Sequence, residues 1–234
     1  MNGRLNRVKY AGGDGSPMKP RFDLVAFDLD GVLVEPESSW VYVHDHFGVT
    51  NETALKAYVA RQIDDNEFMR RDVALWMRAK PGICKRDIDA VLDGVVITPG
   101  AREVVQAVKA SGAKTAIVSG GLRYLAEKVA RHAGIDHVLA NDLASGPDGK
   151  LLGEGVLEVE LLAKGAALNR LKKRLGVKKS RCAAIGNSFI DAQMFEASAL
   201  GIAFNPVDER AREAADHVVE GKDLRLILPY LLGE

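Results

Sequence analysis

The chain has 234 residues, and its 32 Lys and Arg residues balance its 32 Asp and Glu residues, so the formal net charge is zero. This balance argues against a bulk electrostatic partner such as nucleic acid or an anionic membrane. An apolar fraction of 47% and a charged fraction of 27% are typical of a globular protein with one large domain, or with a domain that carries an inserted module.

The two cysteines and the hydropathy pattern restrict the compartment. Cys84 and Cys182 are far apart and in no metal-ligand spacing, so they give no disulfide framework and favour a reducing environment. No apolar run is long enough to cross a bilayer. We therefore expect a cytoplasmic protein with no membrane or nucleic-acid partner, acting as a monomer or a homodimer.

Residues 1–20 differ in composition from the rest of the chain. They carry several basic side chains and a Gly-rich stretch, with almost no apolar periodicity. A positively charged start would suit a signal peptide, but no apolar segment follows it. We expect a flexible tail, a cloned leader, or a start assigned too early, with Met18 as the true first residue.

A short apolar run, Leu24–Phe27, ends in two carboxylates, Asp28 and Asp30, followed by Gly31. The run has the length and composition of a buried strand. Acidic residues are poor strand formers, so they predict a loop at the carboxyl end of that strand, where open α/β sheets place their ligands. Gly31 permits a sharp turn that lets both carboxylates face one site. An Asx-type turn that only closes the strand is the alternative at this point.

Between residues 36 and 97 the pattern is helical, with no strand-like alternation. Ser38 or Ser39 is the expected N-cap of the first helix, and apolar spacing predicts three more helices. We expect the Trp and Phe side chains of this stretch to lie in a core rather than in a ligand site. The predicted helices cover about 40–47, 50–61, 68–80 and 85–92.

From Pro99 onward, apolar strands alternate with helices in the βαβ manner, and a Pro-Asp-Gly-Lys turn at 147–150 predicts one hairpin. The order predicts an α/β fold with a doubly wound, mainly parallel sheet. Residues 21–35 and 98–234 would form its core, and residues 36–97 a helical cap inserted in that core. The predicted strands after the cap are 114–118, 138–140, 182–185, 201–204 and 218–219, and the predicted helices are 99–112, 122–132, 163–175, 191–199 and 224–232.

Polar residues follow several of these strands. Asp28 and Asp30 follow the first, Ser119 follows the second, and Asn187 and Asp191 follow a later one. Because the carboxyl ends of parallel strands share one edge of the sheet, we expect these residues to converge on one crevice. Each of them alone is also typical of a helix cap, and it is their joint order that favours a site.

Four short motifs carry these residues. They are Asp28-Leu29-Asp30-Gly31-Val32-Leu33, Val118-Ser119-Gly120-Gly121, Ala163-Lys164-Gly165 and Ile185-Gly186-Asn187-Ser188-Phe189-Ile190-Asp191. In these motifs and their order the chain resembles the haloacid dehalogenase superfamily. It is most similar to the phosphoserine phosphatases of that superfamily, whose small helical cap is also inserted after the first motif. The resemblance covers about residues 22–232 and implies a Rossmann-like core.

The resemblance implies phosphoryl transfer through an aspartyl intermediate, and the residue types suit that chemistry. A carboxylate at Asp28 can attack phosphorus and form an acyl phosphate. Asp30 would protonate the leaving alcohol and then take a proton from the attacking water. Lys164 would offset the clustered negative charge and stabilise the phospho-aspartate. Ser119 and the Gly120 amide would hold phosphate oxygens.

The same resemblance implies a Mg²⁺ site with Asp28, Asp30, Asn187 and Asp191 as its metal-binding set. The ion would bridge the Asp28 carboxylate, the Asp30 main-chain carbonyl and a phosphate oxygen. The superfamily has a metal-ligating Asp where this chain has Asn187, whose amide oxygen can still ligate. Asp191 would hold metal-bound waters or help to fix Lys164.

Two positions bear on the substrate. In the phosphoserine phosphatases a Glu nine residues after the nucleophile binds the substrate ammonium, and Glu37 holds that place; a solvated linker residue is the alternative. A cap Arg of those enzymes pairs with the substrate carboxylate. Arg71 is the predicted counterpart, with Arg70 beside it, although local similarity near Val73 sets Asp72 where that Arg is expected.

The sequence thus predicts a Mg²⁺-dependent phosphomonoesterase that acts on a small phosphorylated metabolite, with phosphoserine favoured. One alternative is the same chemistry on another small phosphate ester, such as phosphoglycolate or a sugar phosphate. The other is a catalytically weakened phosphoester-binding protein that exploits the altered fourth motif. The retention of Asp28, Asp30 and Lys164 argues against this last alternative.

Overall fold

A computed structural model describes residues 20–233, so the predicted tail lies outside the described residues except for Pro20. A seven-stranded sheet forms the centre, in the order β4-β3-β2-β1-β5-β6-β7. All neighbouring strands are parallel except β3 and β4, which form the predicted hairpin. The strands are β1 (Leu24–Phe27), β2 (Lys114–Leu122), β3 (His137–Ser145), β4 (Leu151–Val156), β5 (Cys182–Gly186), β6 (Leu200–Phe204) and β7 (His217–Val219).

Five of the helices lie between β1 and β2 along the chain, and the first four occupy the stretch in which the sequence predicts four inserted helices. Within residues 20–233, none of the helices combines the length and apolar character that crossing a membrane requires. The helices are α1 (Ser39–Phe47), α2 (Glu52–Val59), α3 (Asp65–Ala79), α4 (Lys85–Leu92), α5 (Ala101–Ala110), α6 (Arg123–Ala133), α7 (Lys164–Leu175), α8 (Ala192–Glu196), α9 (Glu209–Ala214) and α10 (Leu228–Leu232).

Strand β1 lies at the centre of the sheet and is buried along its whole length. Its successive side chains face opposite sides, as strand geometry requires. Val25 and Phe27 pack in one core cluster with α5 and α6, whereas Leu24 and Ala26 pack in another with α7. Helices therefore cover both faces of the sheet. The predicted doubly wound, mainly parallel α/β fold is confirmed.

The inserted helices α1–α4 are joined to the sheet by apolar packing and by hydrogen bonds. Trp76 of α3 belongs to the same buried cluster as Leu125 of α6. Asp65 Oδ1 accepts hydrogen bonds from the Tyr58 hydroxyl and from the Leu161 amide, both at 2.8 Å. These contacts place the inserted helices over the carboxyl end of the sheet.

Strand β2 is longer than the sequence predicts. It continues through the Ser-Gly-Gly stretch to Leu122, whereas the predicted strand ends at residue 118. After an irregularity in the ladder, Leu122 pairs with Asn141 of β3, and this second pairing keeps the segment extended. Ser119 and Gly120 therefore lie on strand backbone rather than in a loop.

The C-terminal third differs from the prediction in its helices. Helix α9 is absent from the prediction, although Asp208 is a typical N-cap whose side chain accepts a hydrogen bond from the Ala211 amide. The predicted helix 191–199 is shorter, as α8. The predicted helix 224–232 begins as a 3₁₀ turn over Leu224–Ile227. Pro229 has no backbone N–H, so it cannot donate the hydrogen bond to the preceding turn that an α-helix would need there.

The contrast between the central and edge strands gives a test of the fold. Leu24 on β1 is fully buried, whereas 62% of Leu152 on β4 is exposed. We expect Leu24→Ala to lower the free energy of unfolding by about 2–5 kcal/mol, because it leaves a cavity in the core. Leu152→Ala should change it by less than about 0.5 kcal/mol. Urea unfolding measures both, and equal losses would contradict the assignment of β1 to the centre.

Candidate active site

The turn after β1 carries the two predicted reactive carboxylates, Asp28 and Asp30. Gly31 follows with a φ of 71°, a left-handed conformation that glycine adopts without strain. A Cβ atom on Gly31 would lie 2.0 Å from Asn187 Nδ2. The absence of a side chain at Gly31 therefore lets the Asn187 side chain, which follows β5, approach the main chain of this turn.

Lys164, at the start of α7, is buried between two carboxylates. Its Nζ lies 2.8 Å from Asp28 Oδ1 and 2.7 Å from Asp191 Oδ1. Asp28 Oδ1 also accepts a hydrogen bond from the Leu29 amide at 2.8 Å. Within residues 20–233, no donor is bonded to Asp28 Oδ2. This second oxygen is therefore the one left to react.

Asp191 supports this arrangement from behind. Its Oδ1 binds Lys164, and its Oδ2 accepts hydrogen bonds from the amides of Asn187 at 2.9 Å and Ser188 at 3.1 Å. Both oxygens are thus engaged by protein donors. Asp191 is fully buried and does not line the cavity described below. These contacts favour the predicted role of fixing Lys164 over the predicted role in metal binding.

Burial raises the proton affinity of the carboxylates. Desolvation raises the pKa of Asp28 to about 7, an effect that the Asp191 carboxylate reinforces and Lys164 opposes. Desolvation likewise raises the pKa of Asp30 to about 6. Burial alone would lower the pKa of Lys164, but the carboxylates of Asp191 and Asp28 outweigh it and hold that pKa above its usual range. Three buried carboxyl groups thus share one ammonium, which leaves negative charge for a cation to offset.

Asp30 is oriented by a residue of the inserted helices. Ser39 Oγ donates a hydrogen bond to Asp30 Oδ2 at 2.9 Å and accepts one from the Leu122 amide at 3.0 Å. Asp30 Oδ1 is buried and has no hydrogen-bond partner within the described chain. A Cβ atom on Gly121 would lie 2.5 Å from Asp30 Oδ2, so glycine is needed there. One oxygen of Asp30 is held in place, and the other is left for a ligand.

A cavity of about 490 Å³ lies between the carboxyl end of the sheet and the inserted helices. Trp40 of α1 closes one side, with its Nε1 donating a hydrogen bond to the Gly120 carbonyl at 3.0 Å. The structure brings most of the predicted site residues to this cavity: Asp28, Asp30, Glu37, Ser119, Gly120, Lys164 and Asn187.

The structure does not bring Arg71 to the cavity. Arg71 is exposed, and its Nε donates a hydrogen bond to Glu67 Oε1 at 2.7 Å. Arg70 pairs with Glu67 and with Glu154 of β4. Helical spacing explains the difference, because the face that α3 turns toward the cavity carries Met69 and Asp72 and leaves Arg71 outside it. The predicted contact between Arg71 and a substrate carboxylate therefore has no counterpart in this arrangement.

Asp72 belongs to a buried network that sequence reasoning missed. Its Oδ1 accepts hydrogen bonds from His44 Nε2 at 2.9 Å and from Asn51 Nδ2. Trp76 Nε1 donates a hydrogen bond to His44 Nδ1 at 2.8 Å. An indole N–H can only donate, so Nδ1 carries no proton and the imidazole is neutral, with its proton on Nε2. His44 therefore supplies Asp72 with a hydrogen bond but not with a positive charge.

Two sequence signals point to the missed residues. The doubled Ser38-Ser39 offers one hydroxyl more than a helix cap needs, and the structure uses Ser38 as the cap and Ser39 to hold Asp30. Asp72 falls at helical spacing between the apolar Met69 and Trp76. A charged residue within the apolar face of a helix predicts a buried carboxylate.

The oxygen atoms near Asp28 are of the chemical types that bind magnesium ions. Residues 20–233 contain no group of three His, Cys, Asp or Glu side chains suited to a metal. The donors would instead be of mixed type: the Asp28 carboxylate, the Asp30 main-chain carbonyl and the Asn187 amide oxygen. Hard oxygen donors are those that Mg²⁺ prefers, and the surplus of buried carboxylate favours a cation.

Comparison with known proteins agrees with this geometry. A sequence model of the haloacid dehalogenase-like hydrolases matches residues 25–196. The chain belongs to this family. It is 32% identical over 216 residues to the phosphoserine phosphatase of Idiomarina loihiensis, covering 92% of this chain and 96% of that one. It is 30% identical over 221 residues to that of Methanocaldococcus jannaschii, covering 92% of this chain and all of the other.

A solved structure of a phospho-aspartyl intermediate analogue of phosphoserine phosphatase superposes with a TM-score of 0.76 at 28% identity. The match covers 90% of this chain and 99% of that one. The predicted superfamily is therefore confirmed, as is the prediction of a phosphoric monoester hydrolase similar to the phosphoserine phosphatases.

The contact between Ser39 and Asp30 can be tested by substitution. We expect Ser39→Ala to lower kcat for an aryl phosphate by about ten- to a hundredfold, because a hydrogen bond to a charged group is lost and Asp30 is no longer oriented. Ser38→Ala is the matched control, since the Ser38 hydroxyl caps α1 and makes no hydrogen bond to Asp30, and the substitution should lower stability by about 1 kcal/mol. Equal kcat values for the two variants would contradict the role of Ser39.

Proposed function

We propose that the protein is a Mg²⁺-dependent phosphomonoesterase that acts through an aspartyl phosphate. The observation that carries the proposal is that each of two buried carboxylates has one oxygen held by the protein and one oxygen without a hydrogen bond within the described chain. Asp28 has one oxygen fixed by Lys164 and the Leu29 amide and the other unbonded. Asp30 has one oxygen fixed by Ser39 and the other unbonded. Each carboxylate is thus oriented and still has one oxygen to react.

In the first half-reaction Asp28 Oδ2 attacks the phosphorus atom of the ester. The new bond joins that oxygen to phosphorus, and the bond from phosphorus to the alcohol oxygen breaks. Asp30 gives its proton to the leaving oxygen, so a neutral alcohol departs. Ser119 and Gly120 line the cavity, and the Ser119 hydroxyl and the Gly120 amide would hold phosphate oxygens during the transfer.

In the second half-reaction water attacks the phosphorus atom of the aspartyl phosphate. Asp30, now ionised, takes a proton from that water, and the bond from phosphorus to Asp28 breaks to release phosphate. Lys164 keeps its position beside Asp28 through its ion pair with Asp191. Its ammonium offsets the negative charge that gathers around the phosphoryl group in both steps.

The Asp28 carboxylate, the Asp30 carbonyl and the Asn187 amide oxygen would hold Mg²⁺. When bound, the ion would neutralise phosphate charge and polarise phosphorus toward attack. An amide in place of a carboxylate leaves this donor set with one negative charge fewer than in relatives with Asp. We therefore expect the ion to bind, but more weakly.

The relatives support a small phosphorylated metabolite as substrate. Those that match over most of the chain are named phosphoserine phosphatases, which supports the sequence-based prediction of phosphoserine. The alternatives remain another small phosphate ester and a catalytically weakened phosphoester-binding protein. The contacts of Asp28, Asp30 and Lys164 disfavour the last, because binding alone does not require two oriented carboxylates that each keep one unbonded oxygen.

Substitution of the nucleophile tests the mechanism. We expect Asp28→Asn to lower kcat by a factor on the order of 10⁴ or more, because a neutral amide does not attack phosphorus. Borohydride reduction of wild-type protein quenched during turnover should convert Asp28 to homoserine, which peptide mass spectrometry detects. Asp148→Asn, in the exposed β3–β4 turn, is the control and should keep full activity. Substantial turnover by purified Asp28→Asn protein would sink the mechanism.

Titration with Mg²⁺ tests the altered fourth motif. We expect the wild type to need millimolar Mg²⁺, and Asn187→Asp to lower that requirement by about tenfold, as other changes around bound metals do. Activity against an aryl phosphate, measured over a range of Mg²⁺ concentrations, gives both values. If the wild type stays inert at saturating Mg²⁺ while Asn187→Asp turns over, the natural protein binds phosphoesters without hydrolysing them.

A further inference from the structure

The inserted helices line their side of the cavity with carboxylates and with no Lys or Arg of the described chain. Within residues 20–233, Lys164 is the one Lys or Arg that lines the cavity. Its ammonium is already bound by Asp28 and Asp191. The carboxylates that line the cavity between residues 37 and 72 are those of Glu37, Asp45, Glu52, Asp65 and Asp72. A substrate that carried a second anionic group would therefore meet repulsion and no counter-charge on this side.

Asp72 stands out among these carboxylates because it is buried. It is 2% exposed, and both of its hydrogen bonds within the described chain go to Oδ1. No described donor reaches Oδ2, although the residue lines the cavity. Since His44 is neutral and Asn51 is an amide, no cation of the described chain compensates the charge of Asp72. A buried carboxylate without a counter-charge is costly, and a ligand cation would relieve that cost.

Aromatic surface and a further carboxylate accompany Asp72. Trp40 lines the cavity and stacks on Trp76, with ring centroids 5.4 Å apart. Trp76 is hydrogen-bonded to His44, and His44 is hydrogen-bonded to Asp72. The Trp40 ring and the Asp72 carboxylate therefore belong to one packed unit. An indole face attracts ammonium groups. Glu37 lines the same cavity and makes no hydrogen bond or ion pair within the described chain.

We propose that this cavity selects an amino-alcohol phosphate, a phosphate monoester with an ammonium group and no carboxylate. The inference rests on the proposed phosphatase function and names its substrate class. The phosphate would lie at Asp28 and Lys164, and the ammonium would lie against Asp72, Trp40 and Glu37. Phosphoserine carries the same ammonium but also a carboxylate, for which the cavity wall offers repulsion in place of a cation.

Phosphoethanolamine and phosphoserine form a matched pair, because they differ by one carboxylate. We expect the wild type to hydrolyse phosphoethanolamine with a kcat/KM at least about tenfold higher, the loss that follows from one uncompensated buried charged contact. In Asp72→Asn, which keeps the shape and the hydrogen-bond acceptor, that ratio should fall by about tenfold. Glu67→Gln is the control, since it removes a carboxylate of the same helix that pairs with Arg70 and Arg71 outside the cavity.

Two results would overturn the proposal: a wild-type ratio of one or below, or an Asp72→Asn ratio equal to that of Glu67→Gln. Should Asp72→Asn fail to fold, the wild type alone decides. Inhibition of aryl phosphate hydrolysis by 2-aminoethylphosphonate should then be at least about tenfold tighter than inhibition by 2-amino-3-phosphonopropionate. Equal or reversed inhibition constants would also overturn it.

The aryl phosphate separates this proposal from the one on which it rests. If the wild type hydrolyses the aryl phosphate but prefers phosphoserine, the phosphatase function stands and the substrate class is wrong. If it hydrolyses neither the aryl phosphate nor the two metabolites at saturating Mg²⁺, the phosphatase function itself is wrong, and the substrate class falls with it.

Discussion

The bridge that Lys164 makes between Asp28 and Asp191 is the interaction on which the site depends. Asp28, Asp30 and Asp191 are buried together at the carboxyl end of the central sheet. Desolvation there penalises the charged form of their carboxyl groups. One buried ammonium on α7 makes that grouping tolerable, and Asp191 fixes both the ammonium and the turn after β5. The sheet order, which sets β1 beside β5, is what allows this bridge to form. Fold and reactivity are therefore two results of one arrangement.

The sequence predicts most of the fold because apolar runs and their punctuation are local. The alternation after Pro99 predicts the parallel strands, and Lys85–Leu92 emerges with the predicted bounds. Local sequence patterns do not predict the structure of a segment whose conformation depends on a partner far away in the chain. The Ser-Gly-Gly stretch stays in strand β2 because β3 pairs with Leu122 beyond it, and no feature of that stretch alone indicates this. Asp208 did carry a local signal for α9, and the prediction omitted that helix.

The reactive end of the site is predictable from sequence, and the substrate end is not. Asp28, Asp30 and Lys164 sit in motifs whose spacing is fixed by the ends of strands and the start of a helix. Recognition depends instead on which face of α3 turns inward, and one residue of helical rotation separates Arg71 from Asp72. The roles of His44 and Ser39 depend on contacts between helices and strands that lie far apart in the chain. Such contacts leave little trace in local periodicity.

The central position of β1 has a consequence for biosynthesis. This strand is synthesised before the rest of the described sheet, yet its neighbours are Lys114 of β2 on one side and Cys182 of β5 on the other. Five helices, α1–α5, are translated before the first of these partners exists. A fully apolar segment therefore has no partner until β2 has been synthesised, and its second edge stays unpaired until β5 follows. The strand that presents the nucleophile is thus also a strand whose pairing is completed only late in translation.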